Sequence, residues 1–192
     1  MPEEEGKFKN KYRVSSPRLK GYNYAQGGFY FVTICTKNRI EYFGDIKNGE
    51  MILNKYGQAA EKQWQWLADQ YSYVKLDDCV VMPNHVHGIL VIDSPNVVNA
   101  VGTGRDAASV GTGRDLSLQL IHIKSLSDLM GAFKTTSSKL IHQSGFVDFA
   151  WQRSFYDHII RTEKSLDKIR RYIYYNPAKW ELDRNNSENL LM

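Results

Sequence analysis

Two apolar runs, Tyr73 to Met82 (YVKLDDCVVM) and His85 to Asp93 (HVHGILVID), are separated only by Pro83 and Asn84. Each is strand-length and rich in β-branched residues, and the link is a Pro-Asn turn signal. Parallel strands need a crossover of a dozen residues or more, so a two-residue link allows only an antiparallel pair. That pair sets the frame for the whole chain. Alternation along the second strand puts His85 and His87 on one face and Val86 on the other, toward the core.

The other elements are read around this pair. Gly27 to Asn38 (GGFYFVTICTKN) is dense in aromatic and β-branched residues and predicts a strand. A small hairpin follows, turning at Asn48-Gly49, where a tight turn needs φ > 0. Residues 55 to 70 suit a helix with Ala60, Trp64 and Leu67 on one face and Asn54 as its cap. Residues 125 to 145 suit a second, with Leu126, Leu129, Phe133 and Leu140 near one face and Gly145 as the stop. Trp151 to Arg161 reads as a strand, and Thr162 caps a last helix that runs to about Tyr175 before Pro177 ends it. The fold class expected from this order is α+β. It is a ferredoxin-like split βαβ antiparallel sheet with helices on one face, plus a hairpin and a C-terminal helix.

At 192 residues, with 42% hydrophobic and 12% aromatic residues, the chain is neither disordered nor large enough for two comfortable domains. The expected organisation is a basic arm over 1–21, one domain over 22–180 and a tail over 181–192. Within the domain, 94–123 is a glycine-containing loop insertion in which VGTGRD occurs twice, too short a period for a solenoid. Cys35 and Cys79 are the only cysteines, too few for a disulfide framework or a cysteine zinc site, and they read as small core residues. With no apolar leader or membrane-length run in the sequence, a cytoplasmic setting is the expectation.

The histidines are the sharpest chemical feature. Two neutral imidazoles on one strand face form a usual pair for a divalent cation, yet a metal needs at least one more ligand. Taken alone, they read more readily as exposed strand histidines with no ligand, so the motif needs a partner. The last helix offers a partner. Leu166, Ile169 and Ile173 form its apolar stripe, and Tyr172 and Asn176 share one flank of that stripe. Taken alone again, Tyr172 could be a boundary aromatic and Asn176-Pro177 a helix stop.

The runs VVMPNHVHGILVI, WQRSFYDHIIR and RRYIYYNPAKW, in this order and spacing, resemble the single-tyrosine HUH transposases of insertion sequences and their REP-associated tyrosine transposase relatives. The resemblance covers roughly residues 22 to 180. It implies that His85 and His87 bind the metal, that Tyr172 is the nucleophile, and that Asn176 completes the metal site. Family members carry Gln or Asn at that last position. It further implies an enzyme, a metal-dependent single-stranded DNA endonuclease and strand transferase that cleaves next to hairpin-forming sequences through a 5′-phosphotyrosine. Mg²⁺ or Mn²⁺ suits a phosphate-bearing substrate, although histidines also accept zinc. The implied partner is single-stranded DNA with hairpin or palindromic elements. A homodimer is one implied assembly, since insertion-sequence relatives can place the tyrosine helix in trans; REP-associated relatives can act as monomers.

Tyr156, Tyr174 and Tyr175 are rival nucleophiles by residue type. On the helical projection Tyr174 and Tyr175 fall away from the Asn176 flank, which favours Tyr172. Charge adds a second line. The net charge of +4 conceals six basic residues and no acid over 7–20, and +4 over 151–180. Arg153, Arg161 and Arg171 in the latter segment are candidate DNA phosphate contacts. The competing reading is a non-catalytic RNA- or single-stranded-DNA-binding module with an RNA-recognition-like fold. It gives no reason for His85, His87 and Tyr172 to occur together. A two-histidine phosphoesterase would need a second His-x-Ser/Thr, and the one match, His142-Gln143-Ser144, falls on a predicted helix.

Overall fold

The structure is a computed structural model that describes residues 23, 24, 27–93, 123–183, 185 and 186. The basic arm, both VGTGRD copies and His122 lie outside the described residues. The elements are β1 (Gly28–Cys35), β2 (Gly44–Lys47), β3 (Glu50–Leu53), α1 (Lys55–Gln70), β4 (Val74–Met82), β5 (His85–Ile92), α2 (Leu126–Gln143), β6 (Tyr156–Ile160) and α3 (Glu163–Tyr175). A 3-10 helix over Pro177–Leu182 follows α3.

The main sheet has the order β4-β5-β1-β6 with all neighbours antiparallel, while β2 and β3 form a separate hairpin. Two βαβ units, β1-α1-β4 and β5-α2-β6, therefore interleave so that β1 and β5 lie side by side in the middle. This is the expected ferredoxin-like α+β arrangement.

Local chemistry explains the boundaries. Asn54 Oδ1 accepts from the backbone N–H groups of Tyr56 and Gly57 and starts α1. Ser125 and Asp128 form a reciprocal capping box at the start of α2. Thr162 caps α3 by accepting from Ser165 N–H. Asn48 and Gly49 take φ values of 53° and 78°, both left-handed, as the tight β2-β3 turn requires.

Two strands are shorter than the sequence predicts. The first stops at Cys35, and a 3-10 turn over Lys37–Arg39 follows in which Asn38 and Arg39 have positive φ. The strand expected over 151–161 is confined to Tyr156–Ile160. Trp151 makes only an isolated bridge to Thr36, because its indole turns into the core and donates to Ser137 Oγ. Lys134 Nζ then donates to the carbonyls of Gln152, Arg153 and Ser154, holding that stretch as a loop.

The sheet has two dissimilar faces. Tyr30, Val32, Ile34, Val86, Leu90 and Ile92 point to one, where α1 and α2 cover them with Trp64, Leu67, Leu129 and Phe133. Phe31, Ile89 and Ile160 point to the other and receive Leu166, Ile169 and Ile173 of α3. Residue alternation on β5 thus sends Val86 and Gly88 to the large core and His85 and His87 to the α3 side. Gly88 is required by a close approach: a Cβ there would lie 2.3 Å from the Trp64 ring. Among the described residues no helix is long and apolar enough to cross a membrane.

The position of α3 is also pinned electrostatically. Arg170 donates from Nε and Nη2 to the two carboxylate oxygens of Asp77 on β4, at 2.9 and 2.6 Å. Asp77 lies at the irregularity between Leu76 and Cys79 that turns its side chain toward the helix. The Arg170 guanidinium holds the Asp77 carboxyl below its usual range.

Two stability outcomes follow from this packing. Gly88→Ala should lose about 1–3 kcal/mol in urea unfolding, because the added methyl meets a fully buried indole. Because the folded pKa of Asp77 is depressed, its stabilising contribution is present above pH ~4 and is lost as pH falls through the folded value. The stability difference between the native chain and Asp77→Asn, measured from pH 6 to pH 2, should therefore shrink below pH ~4. A difference independent of pH would contradict the ion pair.

Candidate metal and tyrosine site

The site lies where β5 begins, on the face shared with α3. His85 and His87 leave the strand side by side, and their Nε2 atoms are 3.0 Å apart. Both rings are buried, at 0% and 1% exposure. The packing of α3 and the following 3-10 segment covers them, so they are not exposed strand histidines. Phe31 stacks on His87 with ring centroids 5.4 Å apart, and the Trp180 ring lies 5.9 Å from that of His85.

Each imidazole is oriented through its other nitrogen. Thr33, directly opposite His87 in the β1-β5 register, brings its Oγ1 within 2.8 Å of His87 Nδ1. Asn84 Oδ1 lies 2.9 Å from His85 Nδ1. Both Nε2 atoms therefore converge on one point in front of α3.

Tyr172 reaches that point from the helix. With Leu166, Ile169 and Ile173 seated on the sheet, the flank of α3 carries the Tyr172 hydroxyl to 3.0 Å from His87 Nε2. Its ring meets Phe31 edge-on, and it keeps 40% of its surface exposed, so the phenol is both anchored and reachable. Tyr174 and Tyr175 pack edge-to-face against each other on the exposed side of the helix. Tyr156 is opposite Thr33 on β6, in the same cross-strand row as His87.

Asn176 is buried beside the cluster, and its Nδ2 donates to Asp183 Oδ2 at 3.1 Å. Its Oδ1 is buried without a hydrogen-bond partner. Asp183 is the residue that sequence reasoning missed. It falls in the segment expected to be a tail, yet Asp183, Asn185 and Asn186 are all buried. The Tyr172 hydroxyl donates to Asp183 Oδ2 at 3.4 Å, and Asn185 N–H donates to Oδ1 at 2.6 Å. His85, His87 and Asp183 each offer a ligand atom within 4.8 Å of the others, a cluster able to hold a metal ion. The polar run after Leu182 was the available signal, but nothing in its spacing ties it to the histidines.

The three arginines are not gathered at the cluster. Arg153 lines a surface groove of about 560 Å³ with Lys37, Arg39 and Trp151. Arg161 is exposed between β6 and α3. Arg171 lies with Lys164 and Lys168 on the outer surface of α3, beside Glu163 and Asp167. Of the remaining histidines, His142 lies 2.9 Å from the Phe149 carbonyl through Nε2, at the end of α2.

No family model matches the chain. An uncharacterised protein of Haemophilus influenzae is 37% identical over 177 residues, which span 88% of this chain and 91% of that protein. A second protein of the same organism, described as a "putative REP-associated tyrosine transposase", is 24% identical over 82% of this chain and 74% of its own length. Among solved structures, a REP-associated tyrosine transposase bound to a REP hairpin shares the fold, with a TM-score of 0.54 and 21% identity over 87% of this chain and 74% of that one. The chain is thus similar in sequence to a protein described as a putative REP-associated tyrosine transposase and shares the fold of a solved one.

Proposed function

We propose that the protein is a transposase acting as a metal-dependent single-stranded DNA endonuclease and strand transferase, which cuts beside hairpin-forming sequences with Tyr172 as nucleophile. The observation that carries this reading is the Tyr172 hydroxyl, 3.0 Å from His87 Nε2 within the His85-His87-Asp183 cluster. A structural neighbour bound to a REP hairpin supports hairpin DNA as the substrate class.

The donor set fits a divalent cation. The two Nε2 atoms, 3.0 Å apart, are close enough to hold one cation together. Asp183 adds a carboxylate, and the unpartnered Asn176 Oδ1 is a further oxygen beside it. Two imidazoles with oxygen donors and a phosphate substrate favour Mg²⁺ or Mn²⁺. When bound, such an ion polarises the scissile phosphate and favours the ionised phenol.

Free tyrosine has a pKa near ~10 and is a weak nucleophile at neutral pH without activation. In the proposed step Tyr172 Oη forms a bond to phosphorus as the bond from phosphorus to the 3′-oxygen breaks. The phenolic proton ends on that oxygen as a 3′-OH, and the 5′ phosphate remains esterified to Tyr172. The diester energy is retained in the tyrosyl ester, so a second 3′-OH can reverse the step and join strands without a nucleotide cofactor. Arg153, Arg161 and Arg171 act on this reading as contacts to the DNA backbone, with Asn176 and Asp183 completing the metal site.

Incubation with Mn²⁺ and a single-stranded oligonucleotide carrying the cognate hairpin should yield a covalent protein-DNA adduct. Yield should vanish in Tyr172→Phe and fall at least tenfold with EDTA or in the double variant His85→Ala/His87→Ala. Undiminished adduct in Tyr172→Phe contradicts the nucleophile, and insensitivity to EDTA contradicts the metal. Replacing Arg153, Arg161 or Arg171 by Ala should weaken DNA binding and lower the salt slope of log K by about 1 for each phosphate that is no longer neutralised. An unchanged slope removes that arginine from the interface.

A further inference from the structure

Asn84 is completely buried in the turn between β4 and β5, and all its polar capacity is used. Its Nδ2 donates to two backbone carbonyls, those of Arg39 and Asn185, each at 2.8 Å. These two acceptors fix the orientation of the amide, because a flipped group would aim its oxygen at two carbonyl oxygens. The remaining atom, Oδ1, faces His85 Nδ1 at 2.9 Å and can only accept. In its neutral form, the form able to bind a cation, His85 must therefore carry its proton on Nδ1, which leaves Nε2 as the lone-pair nitrogen aimed at the cluster.

The equivalent contact at His87 is different in kind. Thr33 Oγ1 can donate or accept, so it suits either tautomer of His87. Without a cation, one proton must lie between two Nε2 atoms only 3.0 Å apart, and between two neutral rings with His85 protonated on Nδ1 that proton belongs to His87. Thr33 then donates to His87 Nδ1. With a cation in place, Thr33 can rotate its hydroxyl and accept instead. One imidazole is locked and the other can adapt.

The same amide also ties together three chain segments. The Arg39 guanidinium donates to Asn185 Oδ1, Asn185 N–H donates to Asp183 Oδ1, and Asn84 bridges Arg39 and Asn185 through their carbonyls. Arg39 reaches this position from a left-handed backbone, φ 55°, which is uncommon for a non-glycine residue. The loop that carries Asp183 is thus latched to the turn that carries His85.

We propose that Asn84 is a positioning residue of the metal site: it holds His85 as the Nδ1–H tautomer and, through Asn185, sets Asp183 against the histidines. The inference rests on the metal reading above but concerns this chain's own hydrogen bonds. Removing such a partner of a metal-bound imidazole typically costs 10–100-fold in metal affinity.

Long-range ¹H–¹⁵N NMR of the metal-free native chain tests it, since these spectra distinguish a protonated from a lone-pair ring nitrogen. His85 is expected as Nδ1–H, and an Nε2–H signal for His85 overturns the assignment. Asn84→Ala should admit the Nε2–H form and weaken Mn²⁺ binding, followed by EPR of free Mn²⁺, by about 10–100-fold. Asn84→Asp keeps an acceptor toward His85 but turns its second oxygen on the Arg39 and Asn185 carbonyls, so it should retain Nδ1–H while the latch to Asn185 is lost, and the two variants differ in tautomer. An Ala variant that keeps the native tautomer, with Mn²⁺ affinity within about twofold of native, overturns the proposal. If Asn84→Ala does not fold, the native spectrum and Asn84→Asp decide it. Failure of the native chain to bind Mn²⁺ contradicts the metal reading separately, and the tautomer is still judged by the native spectrum.

Discussion

Two imidazole nitrogens held 3.0 Å apart in a buried site cannot both present lone pairs to each other; a proton or a cation has to lie between them. Much of the local structure serves to create and maintain that approach. Alternation along β5 puts His85 and His87 on one face, the antiparallel register with β1 supplies Thr33 behind His87, and the β4-β5 turn supplies Asn84 behind His85. Burial beneath Phe31 and Trp180 lowers the local dielectric, so the arrangement is sensitive to any charge brought near it.

The tyrosine reaches this point only because α3 lies on the sheet face opposite α1 and α2. Its apolar stripe provides the area, and the bidentate Arg170–Asp77 pair provides the registration along β4. A helix free to slide by one residue would turn Tyr172 about 100° away from His87. The segment after the helix closes the site from the other side, with Asp183 accepting from both Tyr172 and Asn176.

Most of the fold was legible in the sequence because its signals are local. The capping side chains of Asn54, Ser125 and Thr162, the Asn48-Gly49 turn and the Pro83-Asn84 link each act within a few residues. The shortened strand before α3 was not legible, since Trp151 is drawn off the sheet by Ser137 and by long-range core packing. In the site, His85, His87, Tyr172 and Asn176 could be read from strand and helix periodicity together with family resemblance. Asp183 and the positioning role of Asn84 could not. Both depend on contacts between segments about a hundred residues apart, and an aspartate after a helix or an asparagine in a turn has ordinary local explanations. The basic segment around Tyr172 also reads differently in three dimensions, because Arg170 is committed to Asp77 while Arg153 and Arg171 line different surface grooves.

In the proposed reaction one phenol, Tyr172, carries the cleaved strand. Trypsin digestion of the Mn²⁺-formed adduct, followed by nuclease trimming and fragmentation mass spectrometry, tests it most directly. The peptide that begins at Tyr172 also contains Tyr174 and Tyr175, so the three hydroxyls compete within one fragment. The account predicts a nucleotide phosphate on Tyr172 alone. A phosphate on Tyr174, Tyr175 or Tyr156 would contradict it.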